Sequence, residues 1–349
     1  MNLKNKILYN DLTCFTSMVL EKSGLDSFSE NAVTLGLCET SLRGVDSHGI
    51  RLLPHYAASA KSGRKNPKPN FKFKQTFPCM GHLDADHAFG HAAGMKAIDH
   101  GIEMAHKFGC GIVGVSNSSH PGAMASFALK AARLGYMAFA FTHADALMLS
   151  ANSTRPFFGT NPFCFAAPRK NLEPFCLDMA TTMISWNKVL LARQNQQHLD
   201  APLAADQNGL ATDDPQLAKC LLPAGSYKGY GLGAMIDIFC GIFTGMNFGR
   251  MIPAMYSTPM EKTRNLGQFY MVMRVDGCIS SEEFMEQLNQ MSQQVSLEPR
   301  MGDAPVMLPG DREIMVAKQR MENGIPLDQA TLTALQKLSQ EMEVPLNIF

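Results

Sequence analysis

The sequence predicts a mixed α/β protein with helical ends and a sheet-containing middle. Three observations carry this. The first 65 or so residues show apolar spacing of helical period. From Gly111 onward, short β-type runs alternate with helical ones. Two further helical stretches close the chain, near Asp311 to Glu322 and Leu327 to Met342.

Taken in order, Leu8 to Lys22 has helical spacing and stops at Gly24. Ser27-Phe28-Ser29-Glu30 has the form of a capping box, with Ser27 as N-cap and Glu three residues on. The helix it opens should run to about Arg43. Ser41 to Gly49 breaks it, and another helix is expected near Arg51 to Ala60. Asn66-Pro67-Lys68-Pro69-Asn70 reads as a linker. Phe71 to Lys74 alternates as a strand does, and a long helix follows from about Ala88 to Lys107. Gly111 to Val115 is a strand, Ala123 to Leu134 a helix, and Met137 to Thr142 a strand. Short apolar runs recur at 163–167 and 175–177. Thr181 to Arg193 reads helical, and Asp206 to Gly209 reads as a turn. Lys228 to Thr244 reads as a buried helix rich in Gly and Met. Phe269 to Val275 is a strand, and Ser280 to Val295 an amphipathic helix.

Length and charge narrow the function. A chain of 349 residues holds one large domain or two ordinary ones. Lys+Arg and Asp+Glu balance at 31 each, so no basic excess points to nucleic acid. No apolar run approaches the roughly 18 residues of a membrane helix. The opening Met1 to Lys6 leads into a polar amphipathic stretch and does not read as a signal peptide. The nine cysteines are odd in number, lack a Cys-x-x-Cys pair and mostly sit in apolar runs. They read as reduced, buried thiols, which places the expectation in the cytoplasm.

Several motifs invite a function and need weighing. Gly109 to Gly114 spells G-x-G-x-x-G, but a dinucleotide fingerprint requires a strand before it and a helix after it. Here the order is reversed, so Gly109 reads as a helix C-cap feeding a strand. His82, His87, His91, His100 and His106 show no spacing of a closed metal site, and no metal is expected. Ser47-His48 and Ser119-His120 do not read as nucleophile–base pairs, because neighbours on a strand point to opposite faces.

Ser116 to Ala123 is the stretch around which the chemistry is expected. It joins an apolar strand to a helix and carries His120 into the turn. His48 sits at a break between two helices, with Ser47 before it and Arg51 three residues after it. A histidine suits a proton taken from a hydroxyl, and an arginine fork suits a carboxylate. The same pair would also serve as a structural ion pair. Leu222 to Gly231 is a loop opening a helix, with Lys228 at its start. Lysine there opposes the helix dipole unless an anion is near, so it reads as a phosphate contact or as an exposed side chain. Pro309-Gly310-Asp311 also opens a helix and could offer amides or a carboxylate to a ribose.

Together, several stretches resemble the type 2 malate/L-lactate dehydrogenase family. That family includes ureidoglycolate, diketogulonate and sulfolactate enzymes and the piperideine-carboxylate reductases. The stretches are Arg43 to Gly49, Ser119 to Ala123, Phe158 to Pro162, Asp178 to Thr182, Leu222 to Gly231 and Asn265 to Gln268. Phe248-Gly249-Arg250 with Met255-Tyr256 is most similar to the ureidoglycolate branch.

The resemblance implies NAD- or NADP-dependent interconversion of 2-hydroxy and 2-oxo acids on a non-Rossmann fold. It implies a helical domain built from the chain ends, 1–70 with 300–349, packed on a sheet-containing cofactor domain, 71–299. It also implies a homodimer. Carried across, His48 and His120 match the proton-handling histidines. Asp178, Met179, Ala180 and Thr181 match a cofactor segment, Lys228 and Gly229 a second, and Gly310 and Asp311 a third. Ser47 and Arg51 are assigned to the substrate. Many members carry Arg four residues after the motif histidine and Ser or Asn where this chain has Ala144; His143 or Asp145 could stand in.

The expectation is therefore an oxidoreductase of a small acid, needing neither nucleic acid nor membrane. His120 is expected as the acid/base, with His48 orienting substrate. Two rivals are a cyclic imino-acid reductase on the same scaffold and a non-catalytic relative that binds a small acid.

Overall fold

The computed structural model describes residues 5–349. Residues 1–4, part of the opening stretch read for a signal peptide, lie outside the described residues. Helices α1 (Tyr9–Lys22) and α2 (Ser27–Leu42) form where the helical spacing runs. The start of α2 differs by one residue from expectation. Asp26 is the N-cap, and its carboxylate accepts from the Ser29 N–H at 2.7 Å. A carboxylate there also complements the positive helix end, which a hydroxyl does not. After α2 the chain makes two tight 3-10 turns, Asp46–His48 and Ile50–Leu52, before α3 (Leu53–Lys61).

α4 (Gly90–Phe108) ends on Gly109 at φ +86°, and a strand begins at the next residue. The G-x-G-x-x-G letters therefore serve packing. A Cβ on Gly111 would overlap the Gly101 carbonyl oxygen of α4. Glycine at 111 is what lets helix and strand lie this close.

Seven strands form the main sheet: β1 (Lys72–Phe77), β2 (Met80–Asp84), β3 (Cys110–Ser118), β4 (Tyr136–Thr142), β5 (Phe163–Arg169), β6 (Leu172–Met179) and β7 (Leu266–Arg274). Their order is β1-β2-β3-β7-β4-β5-β6. Only β2 and β3 run parallel; the other neighbours are antiparallel. A doubly wound nucleotide-binding sheet would be mostly parallel. Strand periodicity divides the sheet into two faces. Val113, Val115, Ala138, Ala140 and Val272 pack under α4 and α5 (Ala125–Arg133). Ile112, Phe139, Phe141 and Phe269 turn the other way.

One expected helix is shorter than read. Residues 181–185 bend around an isolated bridge at Thr182, and α6 starts only at Trp186 (Trp186–Gln194). The Thr181 N–H goes to the Thr160 carbonyl at 2.9 Å, and Thr182 bridges to Pro223. Those partners take backbone groups that a helix would use, and Thr182 Oγ1 bonds locally to the Ile184 carbonyl. α7 (Tyr227–Asp237) runs into a single π turn, Ile238–Ile242, against the second sheet face. Five pieces of two or three residues, at 148–149, 156–158, 204–205, 211–212 and 220–221, make a second, small sheet. α8 (Ser281–Ser296), α9 (Asp311–Asn323) and α10 (Gln329–Met342) complete the chain.

The two ends meet. Lys6–Ile7 pairs antiparallel with Ile325–Pro326. One buried cluster joins Leu12, Phe15, Leu37 and Tyr56 with Leu335 and Met342. Phe89 at the start of α4 and Met255 enter the same cluster, tying the helical ends to the sheet. Among the described residues, no helix is long and apolar enough to cross a membrane.

Candidate active site

Two loops bring the two expected histidines together. The first is the 3-10 turn of Asp46–His48. Arg320 of α9 forks onto the Asp46 carboxylate at 2.6 and 2.9 Å and also bonds the Ser41 carbonyl. Gly49 is needed beside it, because a Cβ there would overlap Ser41 Oγ, which accepts from the Ile50 N–H at 2.8 Å. The second loop follows β3. Ser119 is buried and pinned to the start of α4: its Oγ accepts from the Gly90 N–H and donates to the Ala88 carbonyl, both at 2.9 Å. Gln268 on β7 donates to Ser118 Oγ at 2.7 Å. His120 is thereby presented from a rigid strand end.

The imidazoles of His48 and His120 lie nearly parallel, with centroids 5.8 Å apart. Both line one cleft of about 870 Å³. Each has its Nδ1 held and its Nε2 open to the cleft. Ser47 Oγ lies 2.9 Å from His48 Nδ1, so this adjacent pair does meet. The expectation rested on strand geometry, and a 3-10 turn does not alternate side chains. The hydroxyl steadies the ring there. Tyr56 Oη lies 2.8 Å from His120 Nδ1. Burial, then the Arg51 charge, lowers the His48 imidazole to about 4. Burial, then His48 and Arg264, holds His120 well below its ordinary value. Both rings are neutral at pH 7 in a site whose nearby charges are mainly cationic.

The far wall of the cleft carries Asp178 at the end of β6. One carboxylate oxygen accepts the first N–H of α5, from Ala125, at 2.8 Å. That contact complements the positive helix end and fastens the loop behind His120. Burial pushes the carboxyl up to about 6, against the Ala125 bond and Arg43. The side chain is nonetheless open to the cleft, so solvent there moderates the push.

A family model described as malate/L-lactate dehydrogenase matches residues 7–336. This chain belongs to that family. It is an oxidoreductase. The chain is 36% identical over 297 residues to the ureidoglycolate dehydrogenase (NAD(+)) of Escherichia coli K12, covering 84% of this chain and 85% of that one. It is 30% identical over 350 residues to the malate dehydrogenase of Pyrococcus abyssi, covering 97% and 95%. The solved malate dehydrogenase of Entamoeba histolytica superposes with a TM-score of 0.92 at 25% identity, over 98% of this chain and 99% of that one. The Δ1-piperideine-2-carboxylate reductase of Pseudomonas syringae pv. tomato superposes at 0.83 with 26% identity, over 95% and 99%. The mixed α/β fold expected from the sequence is the one these enzymes share.

The remaining expected residues of this dehydrogenase divide by position. Met179, Ala180 and Gly310 line the cleft with Asp178. Thr181 is buried behind it, with Oγ1 on the Thr160 carbonyl at 3.0 Å. Gly229 packs where a Cβ would overlap the Ala224 carbonyl oxygen. Asp311 faces inward: it pairs with Arg169 at 3.1 Å and accepts from the Leu308 N–H at 3.0 Å. Lys228 is exposed and, among the described residues, its side chain has no hydrogen bond or ion pair. Arg51 stands behind His48, off the cleft wall.

Sequence reasoning missed three residues here. Arg264 is buried on the cleft wall, ion-paired to Asp145, with Nε on the Pro253 carbonyl at 2.8 Å. Asn187 donates to the Ser47 carbonyl at 2.9 Å, and Tyr256 donates to Asn187 at 3.3 Å. The signal for Arg264 was its place just before the matching Asn265 to Gln268. Asp145 thus faces the cleft beside Ala144, whereas His143 does not; its ring is locked between Asp237 and the Gly267 N–H. Among the described residues, no three of His, Cys, Asp and Glu come together in a way that could hold a metal ion.

Proposed function

We propose that this dehydrogenase interconverts a small 2-hydroxy acid and its 2-oxo acid, using NAD or NADP. The observation that carries the reading is the near-parallel histidine pair, with both Nε2 atoms open to a cleft that Arg264 also lines. The name of the Escherichia coli relative supports a ureidoglycolate-like substrate and NAD. The cleft suits a dinucleotide in volume, being near the upper end of the ~300–1,000 Å³ of ligand pockets. Its wall is mostly apolar, with Met124, Leu129, Ile184 and Trp186, and offers the free oxygen of Asp178 to a ligand hydroxyl. When bound, the dinucleotide accepts or supplies the hydride at C2.

The protein's part is orientation and proton handling. Arg264, with the Arg51 charge behind His48, holds the substrate carboxylate and sets the C2–H bond toward the cofactor wall. The carboxylate raises the depressed histidines back toward neutral pH, where one of them exchanges a proton with the substrate oxygen. Lys228 and Gly229, with Gly310 and Asp311, complete the cofactor side in this reading.

We also infer a homodimer. What supports it is that the large apolar side chains of Ile238, Ile242, Phe243 and Met251 are exposed around the π turn, as at a subunit contact.

The test is absorbance of NADH and NADPH with a panel of 2-oxo acids, run beside Δ1-piperideine-2-carboxylate. Turnover of an oxo acid is expected. Turnover of the cyclic imine alone would move the assignment to imine reduction; tight acid binding without turnover would make the chain a binding protein. Light scattering of the eluted protein checks the dimer.

A further inference from the structure

Tyr56 is fully buried in α3 and takes no part in lining the cleft. Its hydroxyl nevertheless reaches His120 Nδ1 at 2.8 Å. A second group points at the same nitrogen: the Gly122 N–H, 3.4 Å away, on a backbone at φ +73°. A backbone N–H can only donate. Were Nδ1 protonated, two hydrogens would face each other there. Burial keeps the Tyr56 phenol protonated, and of the two acceptors within its reach Nδ1, at 2.8 Å, is nearer than the His120 carbonyl oxygen, at 3.3 Å.

We propose that Tyr56 is a positioning residue that sets the tautomer of His120: with Gly122 it holds Nδ1 as an acceptor, so the ring carries its proton on Nε2 and presents an N–H to the cleft. His48 is built differently. Its Nδ1 faces only the Ser47 hydroxyl, which can accept as readily as donate. His48 can therefore carry its proton on Nδ1 and offer a bare Nε2. One cleft nitrogen donates and the other accepts, which matches a hydroxyl held between them.

This consequence rests on the hydroxy-acid reading; the tautomer does not. On oxidation, the substrate O–H bond breaks and its proton goes to His48 Nε2. The C2–H electron pair leaves with its hydrogen to the oxidised nicotinamide, and the C=O bond forms. His120 donates a hydrogen bond to that oxygen throughout and does not change protonation. The acid/base is then His48, and His120 is a fixed donor, the reverse of the roles expected from the strand-end placement. A carbonyl oxygen has lone pairs for both histidines, whereas an imine nitrogen has one.

Lys65 packs behind the arrangement. Its buried Nζ sits 3.5 Å over the centroid of the Tyr56 ring and 4.8 Å from that of Phe89, and among the described residues it has no hydrogen-bond partner. Tyr56→Phe keeps that ring and its packing and removes only the hydroxyl.

The experiment is ¹⁵N NMR of histidine-labelled protein at pH 7, with the His120 signals assigned by their loss in His120→Gln. The wild type should show His120 protonated on Nε2, and Tyr56→Phe should shift the ring toward a mixture of tautomers. In kinetics, Tyr56→Phe should lower kcat by about tenfold, with KM and NAD(P)H affinity nearly unchanged, as for loss of a transition-state interaction. A wild-type His120 protonated on Nδ1, or a tautomer unmoved by Tyr56→Phe, overturns the proposal. Absence of oxo-acid turnover alongside the expected NMR pattern would instead overturn the hydroxy-acid reading and leave the tautomer assignment standing.

Discussion

His120 and His143 make an instructive pair. Each follows the C-terminal end of a strand in the same sheet, β3 and β4, and each has its Nδ1 engaged. The partner of His143 is the buried Asp237 carboxylate at 3.1 Å, and its Nε2 accepts the Gly267 N–H at 2.8 Å. Both of its nitrogens are spent, and the ring is 1% exposed. Asp237 also takes the Gly249 N–H at 2.9 Å, so this histidine stitches loops together. His120 has a phenol in place of the carboxylate and keeps one nitrogen for the cleft. The difference teaches that burial alone does not mark a catalytic histidine; an unspent nitrogen facing a cavity does.

The largest test of that contrast is in the cleft. His48→Gln is expected to lower kcat by about 10²–10⁴, the usual cost of losing a general acid/base. Stopped-flow or steady-state turnover on the oxo acid that the panel identifies checks it, and a drop below tenfold would break the division between cleft and interior histidines.

Next comes the interior one. His143→Gln should lower unfolding free energy by about 3 kcal/mol, because it leaves Asp237 buried without its partner. The kcat of the remaining folded protein should stay within about threefold, since the change lies behind the site. Urea melts beside turnover measure both, and a large kcat loss at unchanged stability would make His143 part of the chemistry.

A third histidine sharpens the rule through pH. His91 is fully buried, among the described residues neither ring nitrogen has a partner, and burial, with Lys65 and His48 nearby, lowers it to about 3. The unfolded chain takes up that proton near pH 6.5 and the native one does not. Stability should thus be full above pH 6.5 and fall as pH drops from there toward 3, by about 1.4 kcal/mol per unit from this group. In His91→Leu, which has no titrating ring, the loss between pH 7.5 and 5.5 should shrink by about that amount. An equal acid loss in both proteins would show that other groups carry it.

The smallest effect is expected at Lys228. An exposed cation near a phosphate is worth about 0.5–1 kcal/mol, so Lys228→Ala should weaken NADH or NADPH binding by about twofold to fivefold. Fluorescence titration checks it, and an unchanged Kd would leave Lys228 as plain surface.

Much of the architecture was legible because it is periodic. α1, α4, α8 and α10 and the cores of β3, β4 and β7 follow from spacing, since burial of one face demands it. The reversed context of Gly109 to Gly114 also read correctly, as a helix end followed by a strand. Thr181 to Ser185 misled, because partners distant in the chain, Thr160 and Pro223, claimed backbone groups that local preference gave to a helix. The pieces of the small sheet were invisible, being too short to show any period.

At the site, the sequence alone pointed to His48, His120 and Asp178, through residue types whose chemistry suits the reaction and through motifs in a fixed order. Tyr56 reads in sequence as one more core position of α3, and Arg264 as one more arginine. Only the tertiary structure brought Tyr56 across 64 positions to His120 Nδ1, and Arg264 across 119 to Asp145. A proton's place on an imidazole depends on what lies within about 3 Å of each nitrogen. That neighbourhood is assembled from segments far apart in the chain, and no local pattern encodes it.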